Sequence, residues 1–375
     1  MSTTDHRVHG LAADEIAPDW PPLTATEVAT LLERYPGLVA PRTIHWHSPR
    51  PLSAAALVDT AGGRVFVKRH HASVRTTTTL SEEHRFIAWL RAAGMPIPAV
   101  LADRDGHTAI AIDDSTYEVH ASAAGIDIYR DTMSWVPLRE LRHAHTAGTM
   151  LARLHDAAEG YAAPQRDCHR LVARSDLIEA DDPLQALAAQ LPQRPALAAY
   201  LAGRDWQREI AAAVAPFHAV AQPQLARQPR LWTHGDWHVS NLCWSSDAPD
   251  ARIEAVLDFG LSARSFALFD LATAVERNAI AWLEVDGDIG HHDVATALLS
   301  GYHAVRPLER DQRALLAALL PMVHLDFALS EVEYFCAATH TLAHADVAYD
   351  TFLRGHAAWF RTPYGQALLE TIREG

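Results

Sequence analysis

Cysteine is nearly absent: Cys168, Cys243 and Cys336 are few, odd in number and far apart in a chain of 375 residues. They exclude a disulfide framework and a paired Cys-x-x-Cys metal site. No apolar run approaches the roughly 18 residues that a membrane-spanning helix needs. The opening MSTTDHRVHG lacks the basic-then-apolar layout of a secretory signal. Positive charge is also in short supply, with 32 Lys and Arg against 46 Asp and Glu and a formal net charge of -14. A broad nucleic-acid surface is therefore excluded, because such binding runs on phosphate neutralisation by basic side chains. The same acidity is compatible with a cationic substrate or with simple solubility. A soluble protein of a reducing cytoplasm, with no nucleic-acid or membrane partner, is the expectation.

What is present is ordinary globular composition, 49% hydrophobic and 21% charged, in a chain long enough for one large or two ordinary domains. After an irregular leader, Thr24 or Thr26 can cap a short helix with Val28, Leu31 and Leu32 as its apolar stripe and Pro36-Gly37 as its stop. Leu52 to Val58 and Val65 to Lys68 read as strands joined through the turn-rich Asp59-Thr60-Ala61-Gly62-Gly63. Ser81 is the expected N-cap of a helix through Ala93, closed by Gly94. Two further short strands are expected, His107 to Ile112 and Thr116 to Ala121.

Beyond Gly125 the character changes. Alanine- and leucine-rich stretches predict helices at 138–157, 183–200, 205–221, 293–306, 312–340 and 343–361. One exception interrupts them, residues 231–259, rich in His, Asp, Asn and Trp. A strand-rich unit over 1–121 and a larger helical unit over 122–375 make the expected plan.

That exceptional stretch carries the chemistry. It reads Thr233-His234-Gly235-Asp236-Trp237-His238-Val239-Ser240-Asn241, then Ile253-Glu254-Ala255-Val256-Leu257-Asp258-Phe259-Gly260. The apolar runs Leu242-Cys243-Trp244 and Ala255-Val256-Leu257 look like short buried strands. Paired as a hairpin, they bring Asp236, Asn241 and Asp258 to one end of a cleft. Two carboxylates and an amide suit a hard divalent ion that keeps several waters. They leave one carboxylate to orient an attacking hydroxyl. The same region also permits a hydrolytic metal centre of His234, Asp236, His238 and Asp258, hence a metal-dependent phosphohydrolase. That alternative has no use for Asn241.

HGDWHVSN resembles the H-x-D-x-x-x-x-N catalytic loop of the aminoglycoside phosphotransferase/choline kinase family, and Asp258-Phe259-Gly260 resembles the metal-binding DFG of kinases. The resemblance implies an α+β, bilobal protein-kinase-like fold and a small-molecule kinase. Such an enzyme uses ATP (or GTP) and Mg2+ to phosphorylate a hydroxyl of a metabolite (a sugar, amino alcohol or homoserine-like compound) or of an aminoglycoside-like acceptor. It makes Asp236 the catalytic base and Asn241 and Asp258 the metal ligands. It casts His234 as a support of the loop and Asp270 as a helix cap and loop anchor.

In the first unit the family pattern asks for a lysine on a strand and an acid on the next helix. Alternation puts Val65 and Val67 on one face and Phe66 and Lys68 on the other, so Lys68 can meet the α/β-phosphates. Helical spacing leaves Glu82 and Glu83 open as its partner; the resemblance of the stretch leading into Gly94-x-Pro96-x-Pro98 selects Glu83. Main-chain groups of Glu118 and His120, where the two units should join, are the expected adenine contacts. Ser48-Pro49-Arg50-Pro51-Leu52-Ser53 stands where kinases carry a glycine-rich phosphate loop, and no G-x-G-x-x-G occurs. Ser53 and neighbouring amides are the expected cover for the phosphates. Gly148 is expected to permit close helix packing and His155 to be a satisfied core histidine. For the acceptor, Asp326, Glu331 and Glu333 beside Phe327, Tyr334 and Phe335 suggest ammonium recognition, with Glu276 and Asn278 comparable. A protein kinase is disfavoured by the lack of an A-P-E segment, and a pseudokinase by the complete polar set. The oligomeric state has no signal.

Overall fold

The structure, a computed structural model, describes residues 18–40, 42–130, 132, 136–284 and 288–375. Helix α1 (Ala25–Leu32) opens it, held by a capping box in which Thr24 and Glu27 exchange hydrogen bonds. Five antiparallel strands follow in the order β1-β2-β3-β5-β4: β1 (Thr43–His47), β2 (Ala54–Thr60), β3 (Gly63–His71), β4 (Ile110–Ile112) and β5 (Ser115–Ala121). Helix α2 (Thr77–Ala92) lies between β3 and β4 in sequence. Its N-cap lies five residues before the expected Ser81, because Thr76 and Thr79 form a capping box at its head. Ser81 sits inside it, with its hydroxyl donated to the Thr77 carbonyl. The β2–β3 hairpin runs further than its apolar letters suggested, pairing Ala54 with Arg69 through to Thr60 with Gly63.

The small unit has its own core, in which Leu23, Val28, Leu31 and Leu32 pack on Ala56, Val58, Val65, Val67 and Val119. Helix α2 turns its buried face elsewhere. Phe86, Ile87 and Leu90 belong to the large core of the helical unit, with the Phe86 ring 5.4 Å from Trp232 and 5.9 Å from Phe259. One element of the strand-rich unit is thereby fixed to the helical one beside the DFG segment.

The helical unit contains α3 (Leu141–Ala158), α4 (Asp176–Glu179), α5 (Pro183–Gln190), α6 (Pro195–Leu201) and α7 (Trp206–Leu225). Four short strands follow, β6 (Arg230–Thr233), β7 (Leu242–Trp244), β8 (Ile253–Val256) and β9 (Ala263–Phe266). Then come α8 (Ala267–Ala279), α9 (His292–His303), α10 (Arg310–Leu319), α11 (His324–Tyr334), α12 (Leu342–Asp346), α13 (His356–Trp359) and α14 (Pro363–Glu374). The single helix expected over 183–200 is two, parted near Pro192 and Pro195, where an N–H is missing. The helix expected over 312–340 tightens at Pro321 and widens into a π-helical turn at Phe335–Thr339. Residues 310–339 together are long and apolar enough to cross a membrane, but their apolar window is wholly buried inside the protein. Helices α3 and α9 approach so closely that a Cβ on Gly148 would overlap the Leu298 carbonyl, and one on Gly301 the carbonyl of His145.

Candidate active site

Strand β6 pairs with β9 and β7 with β8, so the two loops between them emerge side by side. The first loop, 234–241, is shaped from below. Asp270, fully buried in the first turn of α8, accepts hydrogen bonds from the main-chain N–H of His234 (3.0 Å) and Gly235 (2.8 Å). Its Oδ2 also lies 3.0 Å from His155 Nε2, whose other nitrogen is 2.8 Å from the Tyr302 hydroxyl. Burial works against the Asp270 carboxylate, but His155, His234 and the Gly235 amide hold its pKa below the ordinary value. Asp270 therefore anchors the loop; it does not cap α8, whose N-cap is Phe266. Gly235 has φ 78°, and a Cβ there would come within 2.7 Å of Ala173. His155 is a satisfied core histidine.

His234 spends both ring nitrogens on main chain. Nε2 is 2.9 Å from the Leu257 carbonyl, and Nδ1 accepts from the Asp236 N–H at 3.2 Å. It is a brace, and a metal centre built on His234 with Asp236, His238 and Asp258 has lost its first ligand. Asp236 is mostly buried, with Asn241 Nδ2 3.2 Å from its Oδ2, His238 Nε2 at 3.4 Å and Arg277 Nη2 3.8 Å from its Oδ1. Burial alone would raise its pKa. His238, the Arg277 guanidinium and His234 outweigh that and hold it far below the carboxylate range. Asn241 donates twice to Asp236, to its carbonyl and to its carboxylate, so the amide oxygen is the end that faces away.

Asp258 occupies the left-handed region at φ 52°, a conformation that costs a non-glycine residue about 1–2 kcal/mol and concentrates at functional positions. Its Oδ1 is 3.1 Å from Lys68 Nζ and accepts from the Gly260 N–H at 3.2 Å. The side chain keeps 42% exposure, so the carboxylate opens into the cleft. Burial is again offset, here by Lys68, and the pKa lies below its usual value. Lys68 stays charged: burial disfavours the ammonium, but Asp258, Glu118 and Glu83 raise its pKa above the ordinary one. Lys68, Asp236, Asn241 and Asp258, spread over 190 residues of chain, thus meet at one cleft. Asp258 and the Asn241 amide oxygen are donors that a hard divalent cation accepts.

Two expectations in the small unit need correction. The ion pair of Lys68 is with Asp258; Glu83 instead lies 3.7 Å from Arg166 Nη2. The main-chain groups of Glu118 and His120, expected to contact adenine, are turned into the sheet. Val119 accepts from the Leu101 N–H and Ala121 donates to the Ala99 carbonyl, so the alternate residues, 118 and 120, turn their main-chain groups toward β3. The Glu118 carboxylate is buried among His70 (2.9 Å), His84 (2.8 Å) and His120 (2.7 Å). Those rings hold its pKa well down despite burial.

The acceptor candidates divide similarly. Asp326 receives the Leu177 N–H, and Glu333 is committed to Arg170 (3.1 Å) and Arg194 (2.6 Å). Glu276 is buried against His324 at 2.8 Å, and the Asn278 amide donates to the Trp237 and Ala274 carbonyls. These groups are tied into the fold of the helical unit.

A sequence model of a phosphotransferase enzyme family matches residues 52–320, well over half of the chain. The chain belongs to that family. Among curated relatives, a homoserine kinase of Phenylobacterium zucineum is 26% identical over 315 residues, covering 83% of this chain and 85% of that one. A homoserine kinase of Methylobacillus flagellatus is 30% identical over 165 residues, 40% of this chain and 49% of the other. Among solved structures, a microcompartment-associated aminopropanol kinase superposes with a TM-score of 0.58 at 17% identity, over 92% of this chain and 98% of that one. The amicoumacin kinase hAmiN, in complex with AMP-PNP, Ca2+ and Ami, gives 0.60 at 14% identity, over 91% and 96%. The expected bilobal kinase-like fold is the one observed.

Sequence reading missed several arginines of this phosphotransferase. Arg75 and Arg166 both donate to the Gly260 carbonyl, at 2.9 Å each, and clamp the DFG turn. Arg277 stands beside Asp236. None lies in a recognisable pattern, and 31 arginines offer no contrast. One signal was available and unused: Lys68 is the only lysine in the chain. Where every other basic position is arginine, a retained lysine marks a place for a compact point charge in preference to a planar fork.

Proposed function

We propose that this chain transfers the γ-phosphoryl group of ATP (or GTP) to the hydroxyl of a small amino-acid alcohol of the homoserine type. The observation that carries the kinase reading is the cross-cleft pair of Lys68 and Asp258, 3.1 Å apart, beside the Asp236–Asn241 pair at 3.2 Å. In this reading Asn241 fixes the Asp236 carboxylate, which receives the acceptor hydroxyl and takes its proton as transfer proceeds. Asp236 is ionised at neutral pH, as that role requires. Lys68 binds the α/β-phosphates, and Asp258 with the Asn241 amide oxygen holds Mg2+. When bound, that ion offsets the charge on the phosphate oxygens.

Two features favour a carboxylate-bearing acceptor. The homoserine kinase of P. zucineum aligns across most of both chains. The Asp236 carboxylate also has a guanidinium, Arg277, at 3.8 Å and His238 at 3.4 Å, whereas the acids considered for ammonium binding are tied into the fold. A guanidinium is suited to an acceptor carboxylate, even with Glu276 also 3.6 Å from it. The test is ATP and GTP turnover against homoserine, small amino alcohols without a carboxylate, and aminoglycosides. Homoserine should be preferred, and Arg277→Ala should raise its KM about tenfold or more while the ATP KM holds. Equal turnover of amino alcohols would overturn the acceptor and leave the kinase standing.

A further inference from the structure

One face of the small sheet carries imidazoles around a single carboxylate. The register of β3 on β5 pairs Phe66 with His120 and Lys68 with Glu118, so alternation puts Lys68, His70, Glu118 and His120 on the same side. The other side, with Val65, Val67 and Val119, belongs to the small core. Helix α2 adds His84 to the first side. His84 Nε2 and His120 Nε2 flank Glu118 Oε2 at 2.8 and 2.7 Å, and His70 Nε2 lies 2.9 Å from Oε1. Glu118 is buried, and among the described residues no lysine or arginine forms an ion pair with it. Its register partner Lys68 is paired with Asp258.

This hydrogen-bonded cluster is also a metal donor set. One donor atom from each of His84, Glu118 and His120 lies within 4.8 Å of the other two. Donors sharing a tetrahedral Zn2+ at about 2.0–2.1 Å stand roughly 3.3 Å apart, about half an ångström more than the two nitrogens now stand from Oε2. The ligands are oriented from behind. His84 Nδ1 is 2.9 Å from the Thr108 hydroxyl, which can accept the ring N–H and leave Nε2 free to ligate. His70 holds the second carboxylate oxygen. Imidazole with carboxylate suits Zn2+, whereas Mg2+ takes oxygen donors. The His120 side chain keeps 17% exposure, against 4% for His84 and 1% for Glu118, so an ion can enter from its side.

We propose that His84, Glu118 and His120 form a Zn2+ site, with water as the fourth ligand, that fastens α2 to β5 beside Lys68. The site is separate from the Mg2+ assigned to Asn241 and Asp258 and does not depend on the kinase reading. The ion offsets a buried negative charge. It also ties down a helix whose other face packs in the core of the helical unit, and so stiffens the strand-side wall of the cleft.

The test is Zn2+ affinity of the full chain by competition with a chromophoric chelator, with thermal melting in parallel. Wild type and Asp258→Ala should bind Zn2+ equally well. His120→Ala, at the exposed rim, should lose at least about tenfold in affinity, as should Thr108→Val, which keeps all three ligands. Added Zn2+ should raise the Tm of wild type and leave that of His120→Ala unmoved. Wild type that binds no Zn2+ overturns the site. So does unchanged affinity in a folded His120→Ala or, where that variant does not fold, in Thr108→Val. Binding lost in Asp258→Ala but kept in His120→Ala would put the ion among the Mg2+ donors and overturn the site as well.

Discussion

The two walls of the cleft are built differently. On the helical side, the groups that shape the loop are buried and bonded to one another: Asp270 holds His155 and two main-chain amides, and His234 spans two segments. On the strand side, Phe66, Lys68 and Arg50 are only partly buried, and the two cations bond across the gap, to Asp258 and Ser240. Folding alone therefore fixes the wall to which the proposed reaction assigns proton acceptance. The facing wall rests on contacts that a ligand can take over. A carboxylate proposed as base needs close placement before substrate arrives, whereas a cation proposed to bind phosphate must release its partner to accept it.

This comparison can be broken at either wall. The largest effect is expected for Asp236→Ala, a fall in kcat of about 10^2 to 10^4, with nucleotide binding retained by calorimetry. Loss of nucleotide binding in a folded variant would move Asp236 from proton acceptance to phosphate binding. Next, Asp270→Ala leaves His155 and two main-chain donors unsatisfied in a buried site and should cost about 3 kcal/mol or more in urea unfolding. The pH dependence sharpens this point. Asp236, Asp258 and Asp270 all have folded-state pKa values below their ordinary ones. Their contribution to stability is fully present above the unfolded-state pKa, near pH 4, and is lost as pH falls through the folded values. Asp270→Ala should flatten that acid slope. The smallest effect on stability belongs to Lys68→Ala, within about 1 kcal/mol, because Asp258 is open to water and its pair with Lys68 is partly solvated. A larger loss would mean that the strand-side wall also supports the fold.

The site was legible because it is local. Asp236 and Asn241 share one loop, and Asp258 follows from a hairpin whose apolar strands are visible in the sequence. Strand alternation alone placed Val65 and Val67 in the core and Lys68 toward the cleft. Legibility failed where a choice depended on what faces a residue. Glu83 and Glu82 have the same helical credentials, and Arg166, 83 residues beyond Glu83, lies 3.7 Å from both, while the ion pair of Lys68 is with Asp258. Glu118 looked like a connecting residue until three histidines from two strands and α2 surrounded it. Helix limits failed for a different reason. A run of threonines hid the capping box at Thr76, and Pro192, Pro195 and Pro321 divided alanine-rich stretches whose periodicity continued through them.

By itself, the sequence determined the alternation of strands, the short hairpin behind the HGDWHVSN loop, and the types of oxygen and nitrogen donors available. These follow from periods of two or a few residues, which the backbone imposes locally. Only the tertiary structure decided which donors meet. Arg277 came to Asp236, Arg50 to Ser240 and Lys68 to Asp258 because packing set the distances between segments remote in the chain. An ion pair depends on that distance and on burial, and neither is written in the spacing of letters.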